Sequence, residues 1–342
     1  MPSLSNETAL RSQVNRLGWA LCIMVASTLV FGEISLLVNQ ILWNIGSEKL
    51  SVAMGALSDT ICYLGYFLVP AWFFYAISKK KVTEPVKFVP KFNRYVPLMI
   101  FASIGIVLST AVLNDWFCEF IGYQLPEDDY SQYMSDPELV ALFMTMSLAP
   151  AFAEELFFRG VIYTNLRPYG KVLAILVSSV AFGLMHQNVG QFFYTTIAGI
   201  VMALAYEATG SIWTSVFIHM FNNLFAVFQT SVIYRYDETS AAVIIYLSHA
   251  VVIFIGIMSA VLLLCVQRKQ ERHQREVTEK YPSQGVFGAA RSENGFSSDE
   301  AIPFSRSIRI VMKSPAMITF TAISVAIMLL LALMFSGGGT IA

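Results

Sequence analysis

Ionisable side chains interrupt three stretches of the sequence that are otherwise apolar. The first stretch, SLAPAFAEELFFRGVIY, contains Glu154, Glu155 and Arg159. The second ends in SSVAFGLMHQN and supplies His186, and the third, GSIWTSVFIHMFNNLF, supplies His219. A charged group in lipid costs several kcal/mol unless it is paired or faces water, so each of these residues is a candidate for function.

The spacing of the first group predicts different roles for its two acids. Glu155 and Arg159 are four residues apart, so on a helix they share a face and can form an ion pair. Glu154 points about 100° away from that face and has no partner nearby in the sequence. We therefore expect Glu154 to face the centre of a helix bundle and to act as a general base. The alternative is that both acids bind Arg159 and only hold helices together.

Two of the four histidines of the chain belong to similar helical pairs. Phe182 and His186 are four residues apart, and so are His219 and Asn223. A lone histidine in such a segment is often a packing residue, but two histidines and a free carboxylate favour a shared site. At 1.5 Å per residue along a helix, the distances of Glu154, His186 and His219 from the predicted cytoplasmic ends of their helices agree within about 10 Å.

These motifs resemble those of the CPBP (CAAX protease and bacteriocin-processing) family of intramembrane peptidases, which includes the type II CAAX prenyl endopeptidases. The family patterns EExxxR, FxxxH and HxxxN correspond here to Glu154, Glu155 and Arg159, to Phe182 and His186, and to His219 and Asn223. The resemblance covers roughly residues 139–232. It implies hydrolysis of peptide bonds within the membrane.

The resemblance also implies a role for each catalytic residue. Glu154 would activate the attacking water as general base, and His186 would orient that water. His219 and Asn223 would stabilise the tetrahedral oxyanion. The ion pair between Glu155 and Arg159 would be structural support for the site.

Metal dependence stays open in the sequence. A zinc site of the His₂Glu type could be formed by Glu154, His186 and His219. Glu155 would then be the general base. Against this, the HExxH pair is absent, and the ligands would have to come from three separate helices. The family is commonly called a metallopeptidase family, although a metal-free mechanism has been argued for its eukaryotic members. We predict the metal-free mechanism, with Zn²⁺ as the alternative and no other cofactor.

The elements that position these residues are membrane-spanning helices. The chain has 342 residues, of which 56% are hydrophobic and 13% are charged, too few charges to cover a water-soluble globule. Lipid requires a helix of about 20 apolar residues for each crossing. We therefore predict an all-α, polytopic transmembrane helix bundle of about nine spans. They lie near 17–42, 55–77, 95–117, 139–163, 171–187, 190–208, 211–233, 241–266 and 314–336.

The same pattern predicts the organisation of the chain. Residues 1–138 hold the first three spans, and 139–233 form the catalytic core with spans four to seven. Span eight lies in 234–266, a charged cytoplasmic linker in 267–313, and the last span in 314–342. We expect the linker to be helical at first and then disordered.

The loops segregate by charge, which predicts the orientation. The loop after span two is basic, whereas the next loop is acidic; the basic loop contains Lys79, Lys80, Lys81, Lys87, Lys91 and Arg94, and the acidic loop contains Glu119, Glu127, Asp128, Asp129, Asp136 and Glu138. By the positive-inside rule, the N-terminus is cytoplasmic and the C-terminus is outside. We expect a bacterial cell membrane, with the lipid bilayer and a protein or peptide substrate as partners and no nucleic acid.

Two other functions compete with the peptidase. The first is a non-catalytic membrane regulator or bacteriocin-immunity protein on the same scaffold. The second is a proton-coupled transporter, since buried acids and histidines also serve proton relays. A transporter would be expected to show two similar halves, which the sequence lacks. A prenylated protein, a bacteriocin or a signalling precursor could each be the substrate of a peptidase.

Overall fold

Ten helices make up the part of the fold that the computed structural model describes. It describes residues 4–45, 48–79, 86–90, 95–123, 136–280 and 302–336, and within these ranges every long regular element is helical. The helices are α1 (Leu4–Ile45), α2 (Glu48–Ser78), α3 (Val96–Phe120), α4 (residues 136–169), α5 (Lys171–Met185), α6 (Val189–Thr209), α7 (Ile212–Arg235), α8 (Glu238–Lys280), α9 (Phe304–Met312) and α10 (Pro315–Ser336). The predicted all-α architecture is confirmed.

Eight of the described helices are long and apolar enough to cross a membrane. The helix α5, predicted as the fifth of the nine spans, has 15 residues and a length of about 22 Å, which is short for a crossing. It is also packed on several sides by protein, since most of its residues are buried. A short helix followed by a turn can lie at membrane depth when protein covers its free backbone groups.

The helix α4 is not the regular α-helix that the sequence indicated. Its central segment, Ala149–Glu155, is α-helical, but π-helical stretches flank it at Met144–Leu148 and Leu156–Tyr163. Pro150 explains the first of these stretches, because its ring lacks an N–H and crowds the carbonyl of the preceding turn. Short π-helical insertions are frequent at functional sites. Both glutamates lie at the end of the central segment, beside the second insertion.

Close packing of α5 on α6 depends on two glycines. A Cβ atom at Gly183 would lie 2.9 Å from the carbonyl oxygen of Phe192, and one at Gly199 would lie 3.1 Å from the Cα of Ser179. Small residues of this kind let two helix backbones approach closely. The backbone of α6 is thereby brought within reach of side chains on α4 and α5.

The predicted linker contains more structure than expected. Its first part continues α8 to Lys280, as predicted, and residues 281–301 lie outside the described residues. Residues Phe304–Met312 form α9, a short amphipathic helix that the sequence reading missed. Arg306 on α9 forms an ion pair with Glu7 of α1 at 2.5 Å. The part of the linker nearest the last span is therefore docked on the bundle.

Polar contacts join neighbouring helices at one end of the bundle. Gln13 of α1 donates a hydrogen bond of 3.0 Å to Asn165 of α4, and Arg167 of α4 forms an ion pair of 2.6 Å with Glu207 of α6. The backbone N–H of Ile212, at the start of α7, donates to the carbonyl oxygen of Lys87 at 3.1 Å. Gln270 of α8 donates to the hydroxyl of Tyr95, just before α3, at 3.1 Å. Lys80, Lys81, Lys91 and Arg94 lie outside the described residues, as do Glu127, Asp128 and Asp129.

Candidate active site

The residues singled out in the sequence converge around the ring of Phe182. The centroid of this ring lies 5.0 Å from that of His186 and 5.6 Å from that of His219. On its other side, the guanidinium carbon of Arg159 lies 5.1 Å from the ring centroid. Helices α4, α5 and α7 thus meet at one aromatic side chain. Arg159, His186 and His219 therefore lie around one ring in the interior of the bundle.

The ion pair predicted from the sequence spacing is formed. Arg159 Nη1 lies 3.0 Å from Glu155 Oε1, and both side chains are completely buried. Arg159 Nη2 also donates a hydrogen bond of 2.8 Å to the carbonyl oxygen of Gly199 on α6. A buried guanidinium needs such partners, because an uncompensated charge in the interior is strongly destabilising. This arginine therefore links α4 to α5 and α6.

Glu155 has a second partner that the sequence reading did not assign. The Nδ1 atom of His219 lies 3.2 Å from Glu155 Oε1, the oxygen that also faces Arg159. An ionised carboxylate can only accept, so this contact requires a hydrogen on Nδ1. The carboxylate thereby fixes the tautomer and the ring orientation of His219. Its Nε2 atom is the nitrogen available for substrate.

His186 is oriented by the backbone of its own helix. Its Nδ1 atom lies 2.9 Å from the carbonyl oxygen of Phe182, which can only accept. The hydrogen is therefore on Nδ1, and in the neutral ring Nε2 carries the lone pair. Glu154 and His219 both interact electrostatically with this ring. His186 is half-buried, whereas His219 is buried.

The turn after His186 is fixed by a residue of α3 and by a residue of the turn that follows α3. Gln187 adopts a left-handed conformation with φ of 51°, and Asn188 then caps α6 by accepting a hydrogen bond from Gly190 N at 2.9 Å. Tyr123 donates to Asn188 Oδ1 at 3.1 Å, and Asn114 donates to the carbonyl oxygen of Gly190 at 2.6 Å. These contacts hold His186 at the end of α5. Neither Asn114 nor Tyr123 was predicted, although polar residues near the end of an apolar span could have drawn attention to them.

Glu154 occupies a different environment from Glu155. It is buried, and its Oε1 atom accepts a hydrogen bond from the hydroxyl of Tyr63 on α2. Its Oε2 atom has no hydrogen-bond partner among the residues that the structure describes. The two adjacent acids thus have separate partners, as their helical phase predicted. Tyr63 was missed because it is one of 15 tyrosines and lies about 90 residues before the motif.

Asn223 lies one helical turn from His219 and is half-buried. Its side-chain oxygen accepts a hydrogen bond of 3.2 Å from Asn222, whose own oxygen accepts one of 2.7 Å from Tyr194 on α6. Asn223 therefore belongs to a polar chain that reaches α6. Asn222, which is adjacent to the family motif, was not singled out in the sequence.

The donor atoms of the two histidines bear on the question of a metal. Within the described ranges, no three or more His, Cys, Asp and Glu side chains are grouped so that they could hold a metal ion. The Nδ1 atoms of His186 and His219 are engaged by a backbone carbonyl and by Glu155. This leaves Nε2 of each ring free to face a ligand, so the metal-free mechanism and the zinc alternative with Glu154, His186 and His219 as ligands both stay predictions. We derive the chemistry without a metal.

Comparisons with known proteins agree with this site. Residues 136–225 match the family described as type II CAAX prenyl endopeptidase Rce1-like. The chain is 33% identical over 89 residues to the "Putative membrane peptidase YdiL" of Bacillus subtilis (strain 168), a stretch covering 25% of this chain and 36% of that protein. It is 24% identical over 176 residues to the UPF0177 protein YvdC of Lactococcus lactis subsp. lactis (strain IL1403), covering 49% of this chain and 65% of that protein.

The matches cover part of each protein. The chain aligns with about one third of the length of the first relative and just under two thirds of the second. No solved structure gives a significant match. The family match nevertheless includes every motif residue of the site, from Glu154 to Asn223. The resemblance inferred from the three motifs is therefore confirmed: residues 136–225 of this membrane-spanning chain are similar to the Rce1-like type II CAAX prenyl endopeptidases.

Proposed function

We propose that this chain is an intramembrane endopeptidase that hydrolyses peptide bonds in membrane-associated proteins or peptides. The observation that carries the proposal is the environment of Glu154. Within the described part of the chain, each of the two buried acids has one oxygen without a hydrogen-bond partner, but only Glu154 stands apart from the ion pair with Arg159. A carboxylate held in this way can accept a proton from a water molecule.

In the proposed reaction, Glu154 removes a proton from water as the water oxygen attacks the carbonyl carbon of the scissile peptide bond. The Nε2 lone pair of His186 accepts a hydrogen bond from the same water and directs its attack. Tyr63 holds Glu154 in place through its hydrogen bond to Oε1. General-base assistance of this kind contributes roughly 10²- to 10⁴-fold in rate.

The oxyanion that forms needs hydrogen-bond donors directed at it. The side-chain amide of Asn223 supplies one, and His219 supplies another in its imidazolium form, in which Nε2 also carries a hydrogen. Glu155, which accepts from His219 Nδ1, balances the positive charge of this ring. The protonated Glu154 then donates its proton to the nitrogen of the scissile bond. The C–N bond breaks, and the products are a carboxylic acid and an amine.

The substrate class follows from the position of the site. Glu154, Glu155 and Arg159 are buried between helices that are apolar enough to span a membrane, so the bond to be cleaved must reach membrane depth. A lipid-modified protein of the prenylated type, or a membrane-associated peptide, meets this condition. The family name matched by residues 136–225 and the name of the B. subtilis relative favour a peptidase over a non-catalytic regulator.

We also propose the orientation of the chain in the membrane. The end of the bundle that carries Arg167, Lys171 and Arg306 would face the cytoplasm, because basic residues are retained on that side. The N-terminus would then be cytoplasmic and the C-terminus outside. A multi-pass protein of a bacterial cell membrane is consistent with both relatives coming from bacteria.

Replacing Glu154 tests the catalytic proposal directly. Glu154→Gln keeps the size and the hydrogen-bond acceptor but removes the base, so we expect substrate cleavage to fall at least 100-fold. Membrane peptides from cells with wild type and with Glu154→Gln would be compared by quantitative proteomics. We expect intact substrate to accumulate and its fragments to disappear.

The matched control for this comparison is Glu33→Gln, which removes an exposed acid from α1, away from the site. It should leave the peptide profile unchanged. An identical peptide profile in Glu154→Gln and wild type, with both proteins inserted at equal levels, would contradict the peptidase and favour the non-catalytic regulator.

Removing the hydroxyl of Tyr63 tests the role of α2 in the site. Tyr63→Phe removes one hydrogen bond to Glu154 and keeps the ring, so we expect turnover to fall about tenfold, equivalent to about 1.4 kcal/mol. Cleavage of the substrate found in the proteomic comparison would be measured in purified, reconstituted protein. Tyr66→Phe is the control, because Tyr66 lies in the same aromatic cluster, with its ring centroid 5.2 Å from that of Tyr63. Equal turnover in the two variants would exclude this role.

Cysteine labelling tests the orientation. In a chain whose four cysteines are replaced by serine, Lys269→Cys at the basic end of α8 should resist an impermeant thiol reagent in intact cells. Phe120→Cys, at the opposite end of α3 and highly exposed, should react. Permeabilised cells provide the control, in which both positions should be labelled. The reverse pattern would invert the proposed orientation.

A further inference from the structure

An open apolar groove of about 600 Å³ lies between α5, α9 and α10. Its lining is apolar apart from Thr321 and includes Leu176, Val180 and Leu184 from α5, Val311 from α9, and Phe320 from α10. A volume of this size is within the range of sites that hold small molecules.

The groove is separate from the candidate active site. Leu176, Val180 and Leu184 are spaced by four residues and line one face of α5. Phe182 lies on another face, with its ring centroid 5.1 Å from that of Phe158 and close to the two site histidines. The groove therefore lies behind the helix that carries His186.

The helix α9 forms one wall of the groove and has two distinct faces. Ile308, Val311 and Met312 line the groove. The basic residues Arg309 and Lys313 are exposed, and each directly follows one of these lining residues in the sequence. An amphipathic helix with basic residues beside its apolar face is typical of helices that lie at a membrane surface.

The two cations beside the groove have no acidic partner among the residues that the structure describes. Arg306 has an acidic partner in Glu7, but neither Arg309 nor Lys313 forms an ion pair within the described parts of the chain. Arg309 and Lys313 are four residues apart and share a face of the helical turn. They present two unpaired positive charges next to an apolar groove.

We propose that this groove binds an anionic phospholipid, with an acyl chain between α5 and α10 and the phosphate group beside Arg309 and Lys313. Charge complementarity selects an anionic headgroup, because each basic residue near a membrane surface contributes about 1 kcal/mol of attraction to anionic lipid. The apolar lining selects a hydrocarbon chain. This site is independent of the proposed peptidase function.

Native mass spectrometry of the full chain tests the proposal. The protein, purified in mild detergent, would be titrated with phosphatidylglycerol and, separately, with phosphatidylcholine, and the bound lipids counted. We expect phosphatidylglycerol to bind the wild type at least tenfold more tightly than phosphatidylcholine does.

Two variants address the two halves of the site. Arg309→Gln with Lys313→Gln removes the charges, and Ala322→Trp fills the groove from an exposed position on α10. The charge variant should weaken phosphatidylglycerol binding roughly tenfold or more, since two basic residues contribute about 2 kcal/mol. The tryptophan variant should weaken it to a similar extent, because the indole occupies the space of the acyl chain. Thermal unfolding would show that both variants are folded.

Matched controls lie outside the groove. Arg272→Gln with Arg275→Gln removes two exposed cations from α8, and Ile323→Trp adds an indole on another exposed face of α10. Both should bind phosphatidylglycerol within twofold of the wild type. Equal affinity of the wild type for the two lipids would overturn the proposal, as would unchanged binding in both groove variants. Displacement of the lipid by a farnesylated peptide would also overturn it and assign the groove to the substrate.

Discussion

The buried ion pair between Arg159 and Glu155 is the interaction on which the rest of the site depends. A guanidinium with no exposure to solvent requires a negative partner and further acceptors, and the fold supplies these from three helices. Glu155 lies on the same helix, Gly199 provides a carbonyl from α6, and the ring of Phe182 covers the guanidinium from α5. Because His219 contacts the same carboxylate oxygen, α7 is positioned by this pair as well.

This constraint separates two neighbouring acids that have the same chemistry. Glu155 faces both Arg159 and His219 through its Oε1 atom, and protonating it as a base would leave Arg159 uncompensated. Glu154, one residue earlier, faces α2 and contacts Tyr63. The π-helical turn that begins at Leu156 follows directly, so the geometry of the helix changes where the two acids diverge. The structural and the proposed catalytic roles are thus divided within two residues.

Much of this could be predicted from the sequence, because the relevant signals are local. Apolar length predicts the helices, and a spacing of four predicts both the Glu155–Arg159 pair and the shared face of Phe182 and His186. Contacts between distant segments could not be predicted in this way. The hydrogen bond of Tyr63, the second partner of Glu155 and the docking of α9 depend on how helices approach one another, which a single sequence does not specify. The two π-helical stretches of α4 and the early end of α5 before the left-handed Gln187 were also not predicted, although Pro150 is a local signal for the first stretch.

The central claim is that Glu155 stabilises the fold through Arg159, whereas Glu154 does not and is free for catalysis. The thermal stability of two single variants tests this claim most directly. Glu154→Gln and Glu155→Gln make the same chemical change at adjacent buried positions. Unfolding midpoints of both purified proteins would be compared with the wild type in the same detergent. We expect Glu154→Gln to unfold at or above the wild-type midpoint, because it removes a buried charge that has no cationic partner in an ion pair. Glu155→Gln should unfold several degrees lower, because it leaves Arg159 uncompensated at a cost of about 3 to 5 kcal/mol. A large loss of stability in Glu154→Gln with none in Glu155→Gln would contradict the account.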